Sequence, residues 1–432
     1  MKSYTCYYRF GIKEFILGLS ILTPAFGNLK GILPINLYQI LILLLGIILI
    51  FEGNIKGKKR EFYIPKWSIY MYIYIGIITF AFNIDIFDFD SIKSFVITFL
   101  YVLIFYNYVK RIYNIEKIFH LIYNIAFILS IIGIVQEIGY LLKIPGLYDF
   151  SYIGITYNIP VGSSNAFGSL AKIQSIYSEP SHLALILGLG CSISFFCYIN
   201  NDIFKFVSLK KSVIIFTCSL LTFSTLIYII LMVCGGYILF FDKNLFAKKT
   251  LWWIVIIITL IFGIYYFRDW LGNMFIKVQE IFVENNEDKY SAFAITSNLK
   301  IAIEKIKDGY LFGTGLDSHR LLYFDYIDKI YKNVEIYLNY DEAASMYIRI
   351  LSEFGIIGFF TFLYYLFKEL FLFKKIYRYR RSKLFYYQRA IILVLIVYLV
   401  RNGRYMDNLM FLCVFTLYEI NIRTKIIYNR LE

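Results

Sequence analysis

Residues 212–241 form an uncharged apolar stretch with the sequence SVIIFTCSLLTFSTLIYIILMVCGGYILFF. As one helix, this stretch would extend over about 45 Å, whereas the hydrocarbon core of a bilayer is only about 30 Å thick. A single helix would also place the next basic loop, with Lys243, Lys248 and Lys249, opposite the other basic loops. Two short helices that reverse at Ser224 keep all basic loops on one side, so we predict a hairpin.

The remainder of the chain has the composition of a membrane protein. Of the 432 residues, 59% are hydrophobic and only 17% are charged, which is unlike a soluble domain. Further apolar runs predict spans near residues 12–28, 33–51, 67–83, 92–109, 118–142, 180–199, 251–267, 346–373, 384–400 and 409–422. We therefore predict an all-α polytopic membrane protein with about 12 transmembrane helices in a single membrane domain, residues 1–432.

The net charge of +14 comes largely from short loops between the apolar runs, at residues 56–60, 110–111, 210–211 and 374–381. This distribution follows the positive-inside rule and does not require nucleic acid as a partner. It predicts a multi-pass protein of the cytoplasmic (inner) membrane with both termini in the cytoplasm. The basic first segment favours a retained anchor over a cleaved signal peptide, because a second apolar run follows at once.

No metal or cofactor is expected. The six cysteines lie mostly inside apolar runs without CxxC spacing, and the three histidines show no HExxH pattern. Asp85, Asp88 and Asp90 leave one alternative open, a DxD site that holds a metal and a sugar diphosphate. A solvated acidic loop is the simpler interpretation of these three residues.

Two long segments, residues 143–179 and 268–345, are predicted to be loops on the outer face, the second a large periplasmic loop. Long loops on a rigid scaffold are where binding and chemistry usually occur. An amphipathic helix is predicted within the larger loop, where apolar and charged residues alternate at helical spacing: Ile295, Leu299, Ile303 and Ile306 beside Lys300, Glu304, Lys305 and Lys307. The glycine-rich turn at residues 309–315 then either approaches a ligand or simply ends this helix.

The segment Ser178-Glu179-Pro180-Ser181-His182 is the most specific local signal for chemistry. Pro180 fits the first position of a helix, and Glu179 then either caps that helix or acts as a base. Glu179 and His182 are three residues apart and share one helical face, which suits the deprotonation of a sugar hydroxyl.

Arginines on the outer side or within spans are the second signal. Arg349 and Arg401 lie in otherwise apolar segments, where an arginine must face a cavity or an anion. A guanidinium binds phosphate oxygens in a bidentate manner, so a lipid diphosphate is a suitable anion. The candidates for anion binding are Arg268, Arg320, Arg349, Arg401 and Arg404, although Arg268 and Arg401 are also able to snorkel. His319 beside Arg320 is a further candidate, with a solvated loop histidine as the alternative.

Four features, in order, resemble O-antigen and capsular polysaccharide polymerases. They are the helix start at residues 178–182, the hairpin residues 220–224, the turn Gly313-Thr314-Gly315, and residues 345–358, SMYIRILSEFGIIG. The chain therefore resembles, over residues 175–360, the O-antigen polymerase and ligase superfamily. The ligase branch often has His-Asn where this chain has Ala344-Ser345, and Ser-Arg where it has Ser224-Thr225. These departures argue against a lipid A-core ligase.

The resemblance implies a metal-independent, inverting glycosyltransferase that polymerises repeat units linked to undecaprenyl diphosphate into O-antigen or capsular polysaccharide. Arg320, Arg349 and Arg404 would hold the diphosphates, and Glu179 or His182 would activate the acceptor hydroxyl, with His319 as a further catalytic candidate. The partners would be lipid-linked glycans and the lipid bilayer, with a chain-length regulator as a candidate. A ligase, a metal-dependent glycosyltransferase that uses Asp88 and Asp90, and a lipid-linked oligosaccharide flippase remain alternatives.

Overall fold

The computed structural model describes residues 10–22, 36–55, 63–82, 88–150, 170–177, 179–199, 206–241, 290–331, 337–371, 383–405 and 407–429. Within these ranges the chain is helical and has no β-strand. The predicted span at residues 251–267 and the candidate Arg268 lie outside the described residues. An all-α fold is therefore what the described part of the chain adopts.

The described part of the chain contains fourteen helices. Their bounds are α1 Ile12–Leu22, α2 Leu37–Ile55, α3 Lys66–Gly76 with a π-helical extension Ile77–Phe82, α4 Phe89–Arg111, α5 Glu116–Leu141, α6 Pro145–Tyr148, α7 Pro180–Ile199, α8 Leu209–Leu221, α9 Thr225–Phe241, α10 Tyr290–Lys307, α11 Ser318–Ile330, α12 Met346–Phe371, α13 Lys383–Arg401 and α14 Asn408–Asn429. Five of them, α4, α5, α7, α12 and α13, are long and apolar enough to cross a membrane. Two shorter apolar helices, α2 and α9, accompany them. The protein is thus a multi-pass helical membrane protein, and the count of about twelve spans stays a prediction.

Residues 212–241 form two helices rather than one, as predicted from their length. In α8, Ser212 bonds to Ser194 of α7 through their hydroxyl groups at 2.9 Å, and Ser219 contacts Cys191 at 3.3 Å. Later residues of α8 therefore meet earlier residues of α7, so the two helices run antiparallel.

The following helix, α9, runs in the opposite direction to α8. Its Ile230 side chain packs against Gly188 of α7, and its Tyr237 ring lies 6.1 Å from the Phe196 ring. Residues 222–224 make the reversal, and Phe223 there adopts a positive φ of 45°. The predicted hairpin is confirmed.

Small residues let helices approach closely around α7, the central helix of the bundle. A Cβ atom on Gly190 would lie 2.8 Å from the Ala126 side chain of α5 and 3.2 Å from Ile215 of α8. Close backbone approach through glycine is typical of helix packing in membranes.

Part of the predicted loop 143–179 packs inside the protein: the backbone N–H groups of Gln174 and Ser175 donate to the Gln136 side chain at 3.1 and 2.9 Å.

Helices α10 and α11 form a small unit that packs on α12. The predicted amphipathic helix exists as α10, but it presents an unexpected face to the protein. Asn298, Ile301 and Lys305 are buried, whereas Leu299 and Ile303 of the apolar stripe are exposed. Two polar residues of α10, Asn298 and Lys305, therefore face the site described below.

Helix α12 is broken at Gly355, where φ is 63° and ψ is −165°. The break pairs with the glycine turn: the Gly315 N–H donates to the Glu353 carbonyl at 2.8 Å, and the Ile356 N–H donates to the Leu311 carbonyl at 3.0 Å. A Cβ atom on Gly313 or Gly355 would overlap the opposite backbone. The glycine-rich turn thus ends α10 and also locks the backbone of α12 beside Glu353.

Candidate functional site

Arg349 is the centre of a buried ionic cluster. Its Nη2 donates to Asp317 Oδ1 at 2.7 Å, its Nε to Glu353 Oε1 at 3.0 Å, and its Nη1 to the Gly403 carbonyl at 2.9 Å. The Tyr405 ring lies against the guanidinium, 4.2 Å from the ring centre to Cζ. Only 7% of the Arg349 side chain is exposed. Every nitrogen of this guanidinium is therefore engaged inside the protein.

Local structure places the two carboxylates. Glu353 lies one helical turn after Arg349 and just before the break at Gly355, so its side chain stays on the Arg349 face. Asp317 precedes α11 with a left-handed backbone, φ 65°, and its N–H donates to Glu353 Oε2 at 3.0 Å. The hydroxyl of Tyr405 donates to the same oxygen at 2.7 Å. Glu353 thus has partners on both oxygens, as a buried carboxylate requires.

Arg320 extends the cluster towards solvent. Its Nη2 donates to Asp88 Oδ2 at 2.6 Å, and its Nε lies 3.9 Å from Asp317 Oδ2. Asp88 also caps α4 by accepting from the Ser91 N–H at 2.8 Å. Burial would raise the pKa of Asp88, but the bonds from Arg320 and Ser91 outweigh it and lower the pKa. Of the three acids considered as a DxD site, Asp88 is therefore committed to a helix cap and an ion pair.

A second cluster lies at the start of α7. Glu179 is exposed and accepts from the Ser181 hydroxyl at 2.8 Å, and His182 is partly buried in the first turn of the helix. Arg404 pairs with Glu342, and the charges of both act on the His182 ring. The structure thus brings together Glu179, His182 and Arg404, which are far apart in sequence.

Residues 402–405, between α13 and α14, connect the two clusters. Gly403 gives its carbonyl to Arg349, Arg404 pairs with Glu342, and Tyr405 bonds to Glu353. A Cβ atom on Gly403 would overlap the Glu342 carbonyl, so only glycine fits here. This turn fixes the spacing between the inner cluster and the outer one.

His319 does not face solvent but belongs to a buried series of hydrogen-bonded side chains. Asn298 donates through Nδ2 to two backbone carbonyls, of Ala294 and Leu338, so its Oδ1 accepts from His319 Nε2 at 2.7 Å. Nδ1 of His319 is then the acceptor for the Ser352 hydroxyl at 2.8 Å, and Ser352 accepts from Lys305 Nζ at 3.0 Å. In the order Lys305, Ser352, His319, Asn298, each side chain donates one hydrogen bond to the next.

Burial disfavours the charged forms of His319 and Lys305. Burial, with the charges of Lys305 and Arg349, holds the pKa of His319 well below its ordinary value, so the ring is neutral at pH 7. Burial lowers the pKa of Lys305 to about 7, although the nearby Glu353 opposes this change. His319 is fully buried, and a role as a base would require the surrounding unit to open.

Sequence patterns alone did not indicate several members of the site. Asp317 and Glu353 both lie inside motifs that the sequence singled out, but nothing in the sequence pairs them with Arg349. The burial of Lys305 was also unexpected, since it lies beside exposed charges on α10. Arg401 is the last residue of α13 and is partly buried.

Residues 212–363 match a family model described as O-antigen ligase. The matched segment runs from the α8–α9 hairpin through α10 and α11 to the broken helix α12, and so includes Arg320, Arg349 and Glu353. This match confirms the resemblance to the O-antigen polymerase and ligase superfamily. No curated protein matches the chain.

Proposed function

We propose that this protein, placed in the O-antigen polymerase and ligase superfamily by residues 212–363, is a polysaccharide polymerase. It would transfer a growing glycan from one undecaprenyl diphosphate to the terminal sugar of another lipid-linked repeat unit. The product would be O-antigen or capsular polysaccharide, made at the outer face of the cytoplasmic membrane by a protein of about twelve spans. The reaction would be metal-independent and would invert the anomeric carbon.

The observation that carries this proposal is the arrangement of arginines in two connected clusters. Arg404 and Arg320 are the outer members; Arg404 pairs with the partly exposed Glu342, and Arg320 pairs with the partly exposed Asp88 and, at 3.9 Å, with Asp317. Exposed ion pairs contribute little to stability and exchange readily, so a diphosphate is able to displace those carboxylates. Arg349 lies behind them, where its bonds to Asp317, Glu353 and the Gly403 carbonyl hold Tyr405 and the 402–405 turn in place. We assign contact with the diphosphate to Arg404 and Arg320 and a positioning role to Arg349; Arg268 and Arg401 stay sequence predictions.

The acceptor hydroxyl would be activated at the start of α7. Glu179 is exposed, and His182 lies next to it and near Arg404. In the proposed step, one of these two side chains removes the proton from the acceptor hydroxyl, and the hydroxyl oxygen bonds to the anomeric carbon. The bond between that carbon and the diphosphate breaks, and the leaving diphosphate keeps the electron pair next to Arg404.

Polymerase is favoured over ligase by the segment around Ala344. Ala344 has a left-handed backbone, φ 58°, a conformation that histidine and asparagine adopt more readily than alanine. The ligase branch that the chain resembles often has His-Asn at this place, and this chain lacks the imidazole. A flippase is disfavoured because transport alone does not require carboxylate and imidazole side chains beside the arginines.

The test is gel analysis of lipid-linked glycans after deletion of the gene and complementation with wild type, Arg404→Ala or Arg349→Ala. We expect single repeat units on an outward-facing lipid in the deletion strain, and no polymer with either variant. The matched control is Arg423→Ala in α14, because Arg423 pairs with Glu419 at i,i+4 and 2.8 Å, as Arg349 pairs with Glu353. This control should give wild-type polymer.

Other outcomes separate the alternatives. Repeat units trapped on the cytoplasmic side in the deletion strain would make the protein a flippase, and long polymer left unattached to its final acceptor would make it a ligase. Normal polymer with Arg404→Ala and Arg349→Ala, at wild-type protein levels, would exclude both arginines from the reaction.

A further inference from the structure

Three aromatic rings lie together on the surface of the unit formed by α10, α11 and the following segment. Phe324, Tyr337 and Tyr340 are 44%, 42% and 38% exposed. The Phe324 ring lies 5.1 Å from the Tyr337 ring and 5.6 Å from the Tyr340 ring, measured between centroids. Large rings are usually more buried than this, so a shared, accessible aromatic surface calls for an explanation.

Buried groups hold this surface in place. Tyr323 lies beneath it, fully buried, with its ring within 6.4 Å of each of the three exposed rings. The backbone between Tyr337 and Tyr340 is fixed through the Leu338 carbonyl, which accepts from Asn298 at 3.1 Å and from the Tyr323 hydroxyl at 3.5 Å. The rings are therefore presented by a rigid support, which reduces the entropy lost on binding.

The surroundings of the rings are polar and acidic. Asp325, Asn339 and Asp341 are exposed beside them. Acidic groups disfavour contact with an anionic lipid surface, where aromatic rings are usually accompanied by Lys and Arg. Carboxylate and amide oxygens next to aromatic faces instead suit a sugar, whose C–H groups pack on a ring while its hydroxyls donate hydrogen bonds at the rim.

The aromatic surface is continuous with the proposed diphosphate site. Tyr340 is two residues before Glu342, the partner of Arg404. The segment from Tyr337 to Glu342 therefore joins the aromatic surface to the ion-pair partner of Arg404. The aromatic and polar character of this surface and its closeness to the proposed diphosphate site both favour the lipid-linked glycan as its ligand.

We propose that Phe324, Tyr337 and Tyr340 form a platform that binds sugar rings of the lipid-linked glycan by stacking, beside the diphosphate site. The inference rests on the proposed function for the identity of the glycan. The platform adds a second binding surface for the substrate. Binding of the glycan, as well as of the diphosphate, would then determine how long the polymer becomes before release.

The experiment uses full-length, detergent-solubilised protein and polymer purified from the wild-type strain, immobilised on a column. Phe324→Leu and Tyr340→Leu keep an apolar side chain but remove the ring, whereas Tyr337→Phe keeps the ring. The control is Tyr364→Leu, an exposed ring of α12 outside the platform. We expect about tenfold weaker retention for the double variant Phe324→Leu, Tyr340→Leu, because leucine keeps part of the apolar contact and each ring then contributes near the lower end of aromatic contacts. Tyr337→Phe and the control should bind like wild type.

In cells, the double leucine variant should shift the polymer to shorter chains while single repeat units are still joined. Wild-type retention by the leucine variants would overturn the proposal and leave the rings as ordinary apolar surface. Loss of retention by Tyr337→Phe as well would assign binding to the hydroxyls and refute stacking. The proposed function fails separately, through normal polymer with Arg404→Ala, because column retention does not depend on catalysis.

Discussion

Replacing Lys305 by methionine should stabilise the protein, although it deletes a hydrogen bond in the buried series of hydrogen-bonded side chains beside the site. Lys305 is only 1% exposed, and its Nζ donates to the Ser352 hydroxyl without an ion pair to any described carboxylate. Burial lowers its pKa from 10.5 to about 7. A buried ammonium with one polar partner is therefore expected to oppose folding.

The magnitude and its sign follow from linkage. The unfolded chain keeps its Lys305 proton up to pH 10.5, whereas the folded chain loses it near pH 7, so the unfolded state binds more protons between these values. The free energy of unfolding should then rise with pH across that window, by about 1.4 kcal/mol per pH unit from this residue alone. At pH 7 the unfavourable contribution is roughly 4 kcal/mol, of which Lys305→Met should recover about 3 after the loss of one hydrogen bond.

The assay is the thermal unfolding midpoint of detergent-solubilised protein at pH 7, 8 and 9. We expect Lys305→Met to unfold a few degrees higher at pH 7, with the difference from wild type shrinking as the pH rises. Lys307→Met is the control, because Lys307 is exposed and pairs only with Glu304 on the same helix. An equal pH dependence in wild type and Lys305→Met would refute the reasoning, since it would mean that water or another group solvates the ammonium.

Two further predictions concern the surrounding backbone and the outer ion pair. Gly403→Ala should abolish polymer formation and lower the unfolding midpoint, because its Cβ would overlap the Glu342 carbonyl; Gly146→Ala, with open space around it, should leave both measurements unchanged. Asp88→Asn should lower the unfolding free energy by less than about 1 kcal/mol, since its ion pair with Arg320 is partly exposed and an asparagine still caps the helix. Gel analysis of its polymer should show wild-type chain lengths, because the proposed diphosphate displaces this carboxylate from Arg320.

The hairpin at residues 212–241 could be predicted because only the length of the apolar stretch has to be compared with the thickness of the bilayer. No information about distant residues is needed. The same holds for α10, whose spacing predicted a helix. The orientation of α10 could not be predicted, because the sequence does not show which of its two sides packs on the protein. The apolar stripe with Leu299 and Ile303 stays exposed, while Asn298 and Lys305 turn inward to a polar partner that the local sequence does not reveal.

The candidate site, too, could be predicted only in part from the sequence. Arg349 was predicted to matter because a lone arginine in an apolar segment needs an anion. The sequence suggested a substrate for that role, yet two carboxylates of the chain, Asp317 and Glu353, already fill it. Their approach depends on the break at Gly355 and the turn at Gly313, two glycines that interlock across 42 residues. Such a backbone pairing leaves no periodic pattern.

This neutralised inner cluster has a consequence for how a diphosphate is held. Arg349 and Arg320 face Asp317, Glu353 and Asp88, so a diphosphate entering this group would meet at least as much negative as positive charge. Arg404 is different, because its single partner Glu342 is on the surface and water is able to solvate that carboxylate after exchange.

We therefore expect Arg404 to make the first contact and Arg349 to hold Tyr405 and the 402–405 turn in register. Arg404→Lys, which keeps the charge, should retain part of the polymer yield in the complementation assay. Arg349→Lys should retain none, because a lysine cannot bond at once to Asp317, Glu353 and the Gly403 carbonyl in the planar geometry of a guanidinium. Equal yields from the two variants would contradict this division of roles.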